Sequence, residues 1–189
     1  MTSVLHTEKT GLPAEGVAVD RSPGTDAGLE ELFDEHYVRL VRLAVLLLGD
    51  VGRAEEVVQD SFLAVHKRLQ RHGALENAPA YLRQTVVNRS RSVLRHLFVV
   101  DRHPSEVPPD EPGADHGVLT GVRRRAVIEA MGTLPRRQRE VLALRYYLDL
   151  SEREIAETLG ISAGAVKSHA SRGSAALRHH LSPLLEETP

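Results

Sequence analysis

The sequence has no cysteine and no tryptophan, and aromatic residues make up 4% of its 189 positions. Without cysteine, disulfides, thiolate metal sites and cysteine nucleophiles are excluded. No apolar run occurs in the first 28 residues, so we expect no signal peptide. The longest apolar patch, 43–48, is far too short to cross a bilayer. The sequence therefore predicts a soluble protein of the cytoplasm.

Signatures of catalysis are missing as well. The ten histidines are scattered, with no HExxH motif and no cluster at metal-ligand spacing. No phosphate-binding glycine loop is present, and no nucleophile–base set can be assembled. The pair His179–His180 is more simply explained as two exposed side chains than as a metal site. We therefore expect a protein that is not an enzyme and that needs no metal or cofactor.

The net charge of −2 conceals a strong segregation of charge along the chain. Residues 97–121 hold five acidic residues and one basic residue, whereas residues 122–181 hold eleven basic and six acidic residues. A phosphate backbone is attracted by the local charge of a protein surface, and not by the net charge of the whole chain. Arginine outnumbers lysine 21 to 3, which a GC-rich genome explains better than a need for bidentate phosphate contacts.

Helical periodicity runs through most of the chain, and no alternating strand pattern is present. Residues 1–28 lack periodicity and predict a disordered tail. Residues 99–121 hold four prolines and five acids and predict a flexible linker. The expected fold is all-α, with two small helical domains at 29–98 and 122–182 and a C-terminal tail at 183–189. The expected helices cover about 33–48, 51–70, 80–97, 122–131, 135–148, 152–159 and 163–181.

Residues 151–177 have the spacing of a helix-turn-helix, the most informative motif of the chain. Ala156 is small where two helices would cross, Gly160 suits the turn between them, and Val166 would face the first helix from the second. Such a unit places its second helix in the DNA major groove. The alternative is an ordinary helical hairpin with glycine at its turn.

Polar residues at the helix starts support this assignment. Ser151 and Glu154 have the spacing of a capping box, and Ser162 is suited to cap the second helix. Along that helix small residues face outward, so Lys167 and Arg172 would reach phosphates or guanine edges. This helix is therefore predicted to bind duplex DNA.

The upstream helical domain carries two polar faces of opposite character. On the third helix, amide and guanidinium groups follow a helical spacing, with Tyr81 at the start, and this combination suits single-stranded nucleic acid. A solvated arginine-rich face would look the same. On the second helix, an acidic face would repel nucleic acid and suits a basic protein partner, although a solubilising face is an equal alternative.

The order of these parts resembles the extracytoplasmic-function (ECF) sigma factors of the bacterial sigma-70 family. The stretches LEELFDEHYVRLVRLAVLLLGDVGRAEEVVQDSFLAVHKRL and APAYLRQTVVNRSRSVLRH are similar to region 2 of that family. The stretch VIEAMGTLPRRQREVLALRYYLDLSEREIAETLGISAGAVKSHASRGSAAL is similar to region 4. The pairing is more specific than either part, because helix-turn-helix units are common but AEEVVQDSF upstream of one is not.

The resemblance implies an RNA polymerase subunit that directs initiation at promoters by reading −35 and −10 elements. The clamp helices of core polymerase would bind Glu55, Glu56, Gln59 and Asp60 on the second helix. The −10 element would be opened and captured as a single strand by Tyr81, Arg83, Gln84, Asn88 and Arg91. The −35 element would be read as duplex by Ser162, Gly164, Ala165, Lys167, Ser168, His169, Ser171 and Arg172.

Further parts of the chain also acquire roles from the resemblance. Residues 141–147 would lie near the polymerase flap, and the acidic linker would occupy the path of nascent RNA. An anti-sigma factor is an expected partner, and no membrane association is expected. Three positions depart from the family pattern: tyrosine stands at 81 where tryptophan is frequent, the loop LENAP lacks an aromatic residue, and His169 stands where arginine is frequent.

A stand-alone transcription regulator is the main alternative, because LPRRQREVLAL, EIAETLGIS and VKSH also resemble LuxR-type output domains. Such a regulator usually carries a receiver or ligand-binding domain upstream. Residues 29–97 show neither the alternating strands and helices of a receiver nor a pocket-like apolar composition. An enzyme with a regulatory helix-turn-helix has no residues in its favour.

Overall fold

A computed structural model describes residues 23–100 and 118–186 of the chain. No strand occurs in these two ranges, in agreement with the predicted all-α fold. The elements are α1 (Pro23–Leu48), α2 (Val51–His72), α3 (Ala78–Val100), α4 (Val118–Thr133), α5 (Arg136–Leu142), a π-helical turn (Ala143–Tyr147), α6 (Glu152–Leu159) and α7 (Ala163–Glu186). Residues 1–22, 101–117 and 187–189, which include most of the predicted tail and linker, lie outside the described residues.

Several helices are longer than the sequence predicts. Helix α1 begins at Pro23, inside the predicted tail, and α4 begins at Val118, inside the predicted linker. Helix α7 continues to Glu186, past the predicted end at 181. Proline and glycine predicted breaks near these ends, but Pro23 lies in the first turn of α1, where a proline loses no backbone hydrogen bond. The predicted bounds of 152–159 for α6 are confirmed.

The segment predicted as one helix at 135–148 is helical from Arg136 to Tyr147, but its second half is not α-helical. Pro135 is the residue before the helix, with φ −52° and ψ 137°, and α5 ends at Leu142. A π-helical turn follows, after which Leu148 N–H donates to the carbonyl of Ala143 at 3.3 Å. Turns of this kind occur frequently at functional sites. Helical periodicity alone does not distinguish such a turn from a continued α-helix.

Helices α1, α2 and α3 pack into an N-terminal three-helix unit (residues 23–100). Helix α2 begins at the cap Asp50, whose carboxylate accepts a hydrogen bond from Arg53 N–H at 2.7 Å. It ends before Gly73, which adopts φ 73°. The apolar face predicted for α2 is confirmed for the buried Ala54, Val57, Val58, Phe62 and Val65. On α3 the buried apolar residues are Leu82, Val86 and Val87.

The apolar patch at 43–48 lies at the centre of the molecule. Helix α1 packs on α2 and α3, and also on α4, α5 and the π-helical turn of the C-terminal unit (residues 118–186). Leu43, Val45 and Leu47 are therefore buried although they lie on different sides of α1. One continuous apolar core connects the two units. Among the described residues no helix is both long enough and apolar enough to span a membrane.

Candidate nucleic-acid and polymerase interfaces

The helix-turn-helix is formed by α6 and α7, and its start is fixed by a capping box. Ser151 Oγ accepts a hydrogen bond from Glu154 N–H at 3.3 Å, while Ser151 N–H donates to Glu154 Oε2 at 2.9 Å. Hydrogen bonds from the Ser151 side chain and backbone lower the pKa of the Glu154 carboxyl. Helix α6 ends at Gly160 in the left-handed conformation, with φ 64° and ψ 43°. The predicted capping box and glycine turn are both confirmed.

Helix α7 is held against α5 and α6 by small and apolar residues. Ser162 Oγ accepts from Ala165 N–H at 3.2 Å, so the predicted cap of this helix is confirmed. Val166 and Ala170 are buried toward the core. A Cβ atom on Gly173 would lie 3.1 Å from Leu142 Cδ1 and from Gln138 Cβ. A side chain at this position would therefore require Leu142 or Gln138 to shift by a few tenths of an ångström.

The opposite face of α7 carries the residues predicted to read the −35 element. Most of them are exposed: Ser162, Gly164, Lys167, Ser171 and Arg172. The others, Ala165, Ser168 and His169, are half-buried. Lys167 Nζ lies 3.6 Å from Glu152 Oε2, an ion pair that is largely exposed and therefore weak. The residues predicted to read the −35 element therefore lie together on one face of α7, on which five are exposed and three are half-buried.

Three acidic residues and one glutamine of α2 form a second exposed face, which we name the acidic face: Glu55, Glu56, Gln59 and Asp60. It lies opposite the buried side of the helix. Asp60 Oδ2 also accepts a hydrogen bond from Arg89 Nη1 of α3 at 2.9 Å. Leu63, one turn further along α2, is 56% exposed and adds an apolar side chain beside this face.

The residues predicted to capture the −10 strand lie along α3, but they are not equally accessible. Tyr81 and Asn88 are exposed, whereas Arg83, Gln84 and Arg91 are half-buried. Burial lowers the pKa of Arg83; Glu154 of α6 opposes this effect and Arg39 adds to it. Part of the predicted −10 surface therefore faces the C-terminal unit.

An ion pair between the two units holds Arg91. Its Nε lies 2.7 Å from Glu140 Oε1 and its Nη2 lies 3.0 Å from Oε2, in a bidentate pair. Arg91 Nη1 also donates to Asn88 Oδ1 at 3.0 Å. Arg137 Nη1 approaches the same carboxylate at 2.8 Å, and Arg136 Nε lies at 3.8 Å. Three arginines thus surround Glu140, which is 2% exposed.

Two further arginines join the units through backbone carbonyls. Arg39 Nη2 of α1 donates to the carbonyl of Leu148 at 3.0 Å. Arg139 Nη1 of α5 donates to the carbonyl of Leu47 at 2.8 Å. Burial lowers the pKa of Arg139, and the adjacent Glu140 opposes this effect. No local sequence pattern predicts these contacts, apart from an acidic residue at position 140 beside the apolar run 141–144.

The fold and these surfaces define a class of protein: a two-unit, all-helical DNA-binding protein with a C-terminal helix-turn-helix and a separate acidic surface. Comparison with known families agrees with this class. Residues 32–97 match the family described as Sigma-70 region 2, and residues 124–177 match the family described as Sigma-70, region 4.

Individual relatives make the assignment specific. The chain is 31% identical over 157 residues to the RNA polymerase sigma-E factor of Streptomyces coelicolor, covering 80% of this chain and 88% of that protein. It is 32% identical over 161 residues to the ECF RNA polymerase sigma factor SigL of Mycobacterium tuberculosis, covering 82% and 90%. The chain belongs to the ECF sigma factors of the sigma-70 family, which direct promoter-specific transcription initiation.

A solved structure supports the fold. The sigma factor RpoE from Bartonella quintana, in a co-crystal structure with the anti-sigma factor NepR, superposes with a TM-score of 0.68. The two chains are 21% identical, and the match covers 82% of this chain and 97% of RpoE. At this identity the comparison shows that the helical architecture is shared.

Proposed function

We propose that this protein binds core RNA polymerase in the cytoplasm, without catalysing a reaction itself, and reads promoters at two points. In this proposal α7 reads the −35 element as duplex, and α3 captures the −10 element as a single strand and so assists melting. The observation that supports it most is the presence of two differently built polar helices, one in each unit of a chain that belongs to the sigma-70 family.

For the −35 element, the proposal rests on the shape of the exposed α7 face. Gly164, Ser168 and Ser171 are small, so the helix can approach the floor of a major groove. Lys167 and Arg172 extend beyond them and supply the positive charge that phosphates and guanine edges require. Because His169 is half-buried, it would contribute less than the residues on the outer face.

For the −10 element, the proposal rests on the combination of groups along α3. Tyr81 is 36% exposed at the start of the helix and offers a ring for stacking. Asn88 is exposed and offers hydrogen bonds to a base edge. Arg83, Gln84 and Arg91 complete the surface once they are accessible.

For polymerase, the acidic face of α2 is the proposed docking surface on the clamp helices. Its four residues are exposed, and Asp60 accepts a hydrogen bond from Arg89 of α3. Residues 141–147, which include the π-helical turn and the 67% exposed Tyr146, are proposed to lie near the polymerase flap. An anti-sigma factor is a further proposed partner, by analogy with the RpoE–NepR structure.

Run-off transcription with purified core polymerase tests the proposal. Promoter candidates are selected in vitro from fragments of the source genome, and the expected result is a discrete transcript that requires both core polymerase and this protein. A matched control replaces Glu157 by Gln on the exposed surface of α6 and should leave the transcript unchanged. If no selected fragment supports initiation, the proposed function is wrong.

A gel shift without polymerase tests the alternative, a stand-alone regulator. Two weak DNA-binding units gain avidity when a scaffold fixes their spacing, so the free protein is expected to bind duplex promoter DNA weakly. Tight and sequence-specific binding by the free protein would instead favour the regulator. The absence of binding together with polymerase-dependent initiation favours the sigma factor.

A further inference from the structure

A small cavity lies between the two units, and the proposed function assigns it no role. Its volume is about 80 Å³, and its walls come from α1, the first two turns of α3 and the segment 148–150 that precedes α6. A buried water needs roughly 10–15 Å³ of comparable space, so this cavity has room for a ligand of several heavy atoms. Asp149, with φ 56°, turns the chain between Leu148 and Leu150, which both line the cavity.

The polar lining of the cavity is basic. Of the described residues that line it, His36 and Arg39 come from α1 and Arg83 comes from α3, and none is acidic. Arg39 Nη2 donates to the carbonyl of Leu148 at 3.0 Å, which holds this guanidinium at the wall. Burial lowers the pKa of Arg83, and the positive charge of Arg39 adds to this effect. The two guanidinium groups repel each other, and an anion bound between them would compensate both charges.

Arg83 also carries a hydrogen-bond donor that no described residue satisfies. Its Nε–H is buried and has no acceptor among residues 23–100 and 118–186. Glu154 acts on the pKa of Arg83, but its Oε2 already accepts from Ser151 N–H at 2.9 Å and from Ser151 Oγ–H at 2.6 Å. A buried charged donor without an acceptor is costly. An oxygen atom of a ligand in the cavity would remove this cost.

A second cavity between the units shows what distinguishes an anion site from an ordinary packing defect. Arg139 lines this second cavity, and its Nε–H is likewise buried without an acceptor among the described residues. The volume is about 10 Å³, which leaves no space beyond a single water. Glu140 lines it as well and supplies negative charge from within the protein. The cavity at Arg83 has space and positive charge without such an acid in its described lining.

We propose that the cavity lined by His36, Arg39 and Arg83 binds a small phosphate-type oxyanion, either inorganic phosphate or the terminal phosphate of a small ester. Its oxygen atoms accept from Arg83 Nε–H and from the Arg39 guanidinium, with His36 as a third donor. Guanidinium groups suit this ligand because they make several charge-assisted hydrogen bonds to one anion. Arg39 is exposed, so the ligand can enter from solvent. This inference goes beyond the proposed function and does not depend on it.

Isothermal titration calorimetry of the full chain with inorganic phosphate tests the site, with sodium chloride added to hold the ionic strength constant. We expect saturable binding to the wild type. Arg39→Gln and Arg83→Gln should each lower the affinity by about tenfold or more, because each removes a charge-assisted hydrogen bond. Arg42→Gln is the matched control. This arginine is exposed on α1 and does not line the cavity, so its replacement should leave the affinity unchanged.

Thermal unfolding gives an independent readout. A bound ligand stabilises the folded protein in proportion to the occupancy of its site, whereas salts excluded from the protein surface stabilise it without saturation. We expect a saturable rise in Tm with phosphate for the wild type and Arg42→Gln, and its loss in Arg39→Gln and Arg83→Gln. Circular dichroism verifies that each variant is folded, and either arginine variant is sufficient if the other misfolds.

Related ligands distinguish the sources of the phosphate group. Binding of methyl phosphate as tight as that of inorganic phosphate would identify an ester end as the ligand, and binding of inorganic phosphate alone would identify the free anion. Binding of a 12-nucleotide single-stranded DNA, with neither small anion bound, would overturn the site. Phosphate binding that survives both arginine variants would also overturn it, as would the absence of saturable binding to the wild type. Run-off transcription without added phosphate tests the proposed function separately.

Discussion

The two helices proposed to contact DNA differ in how much of their surface is accessible. The two basic side chains proposed to bind DNA on α7, Lys167 and Arg172, are exposed. The two basic side chains proposed to bind DNA on α3, Arg83 and Arg91, are half-buried against the other unit. The residues proposed to read the −35 duplex are therefore mostly accessible in the structure. Part of the surface proposed to capture the −10 strand is instead covered by the C-terminal unit.

The largest expected effect concerns the acidic face of α2, which is the surface proposed to bind core polymerase. Replacing Glu56 and Asp60 together by arginine reverses the charge of the acidic face, and we expect co-purification with core polymerase to be abolished. Both residues are exposed, so the fold should be retained. Asp60→Asn alone, which removes the contact with Arg89 without adding positive charge, is the control. Unchanged co-purification of the double variant would remove α2 from the proposed interface.

The next prediction compares one variant on α7 with one on α3, the two helices proposed to bind DNA. Arg172→Ala should lower the affinity of the polymerase complex for duplex −35 DNA by about tenfold, in the range of a lost guanidinium–base contact of about 1–3 kcal/mol. Asn88→Ala should leave duplex binding unchanged and reduce promoter opening, measured by permanganate reactivity of unpaired thymines. If both variants affect the same step equally, the comparison between the helices fails.

A smaller effect is expected where α7 packs on α5. Gly173→Ala places a methyl group 3.1 Å from Leu142 Cδ1, so the neighbouring side chain must shift. We expect the free energy of unfolding to fall by up to about 2 kcal/mol, because overpacking costs about 1–3 kcal/mol while exchanging glycine for alanine inside a helix returns about 1 kcal/mol. Gly132→Ala on α4 is the matched control: no atom lies within 4 Å of the added Cβ, so the same exchange should leave the stability unchanged or slightly higher. Equal changes in the two variants in thermal or chemical denaturation would contradict the close packing.

The smallest effect concerns the start of the helix-turn-helix. Ser151→Ala removes the cap of α6 and should reduce stability by about 1 kcal/mol. Because the pKa of Glu154 is lowered in the folded state, its contribution is present above the ordinary value of 4.5 and is lost as the pH falls through the folded value. The difference in stability between wild type and Glu154→Gln should therefore shrink below about pH 4.5. A pH-independent difference would contradict the role of the ionised carboxylate.

Local structure was largely predictable from the sequence because its causes are local. The capping box of Ser151 and Glu154, the left-handed Gly160 and the buried face of α2 each depend on residues within two helical turns. The π-helical turn was missed because a one-residue change in hydrogen-bond register leaves the apolar pattern nearly unchanged. Helix ends were missed where a proline was taken as a breaker, as at Pro23 in the first turn of α1 and Pro183 in the last turn of α7.

The sequence by itself determined an all-helical chain with a helix-turn-helix, an acidic face and an arginine-rich face, since periodicity, caps and charge are properties of neighbouring residues. The tertiary structure decided which of these surfaces are accessible. Arg91 and Glu140 are 49 residues apart, and no local pattern records that they meet. Their pairing follows from the packing of α1 between the two units, which buries Leu43, Val45 and Leu47 and brings α3 against the C-terminal unit. Long-range apolar burial therefore determines whether a residue suited to DNA is free to bind it.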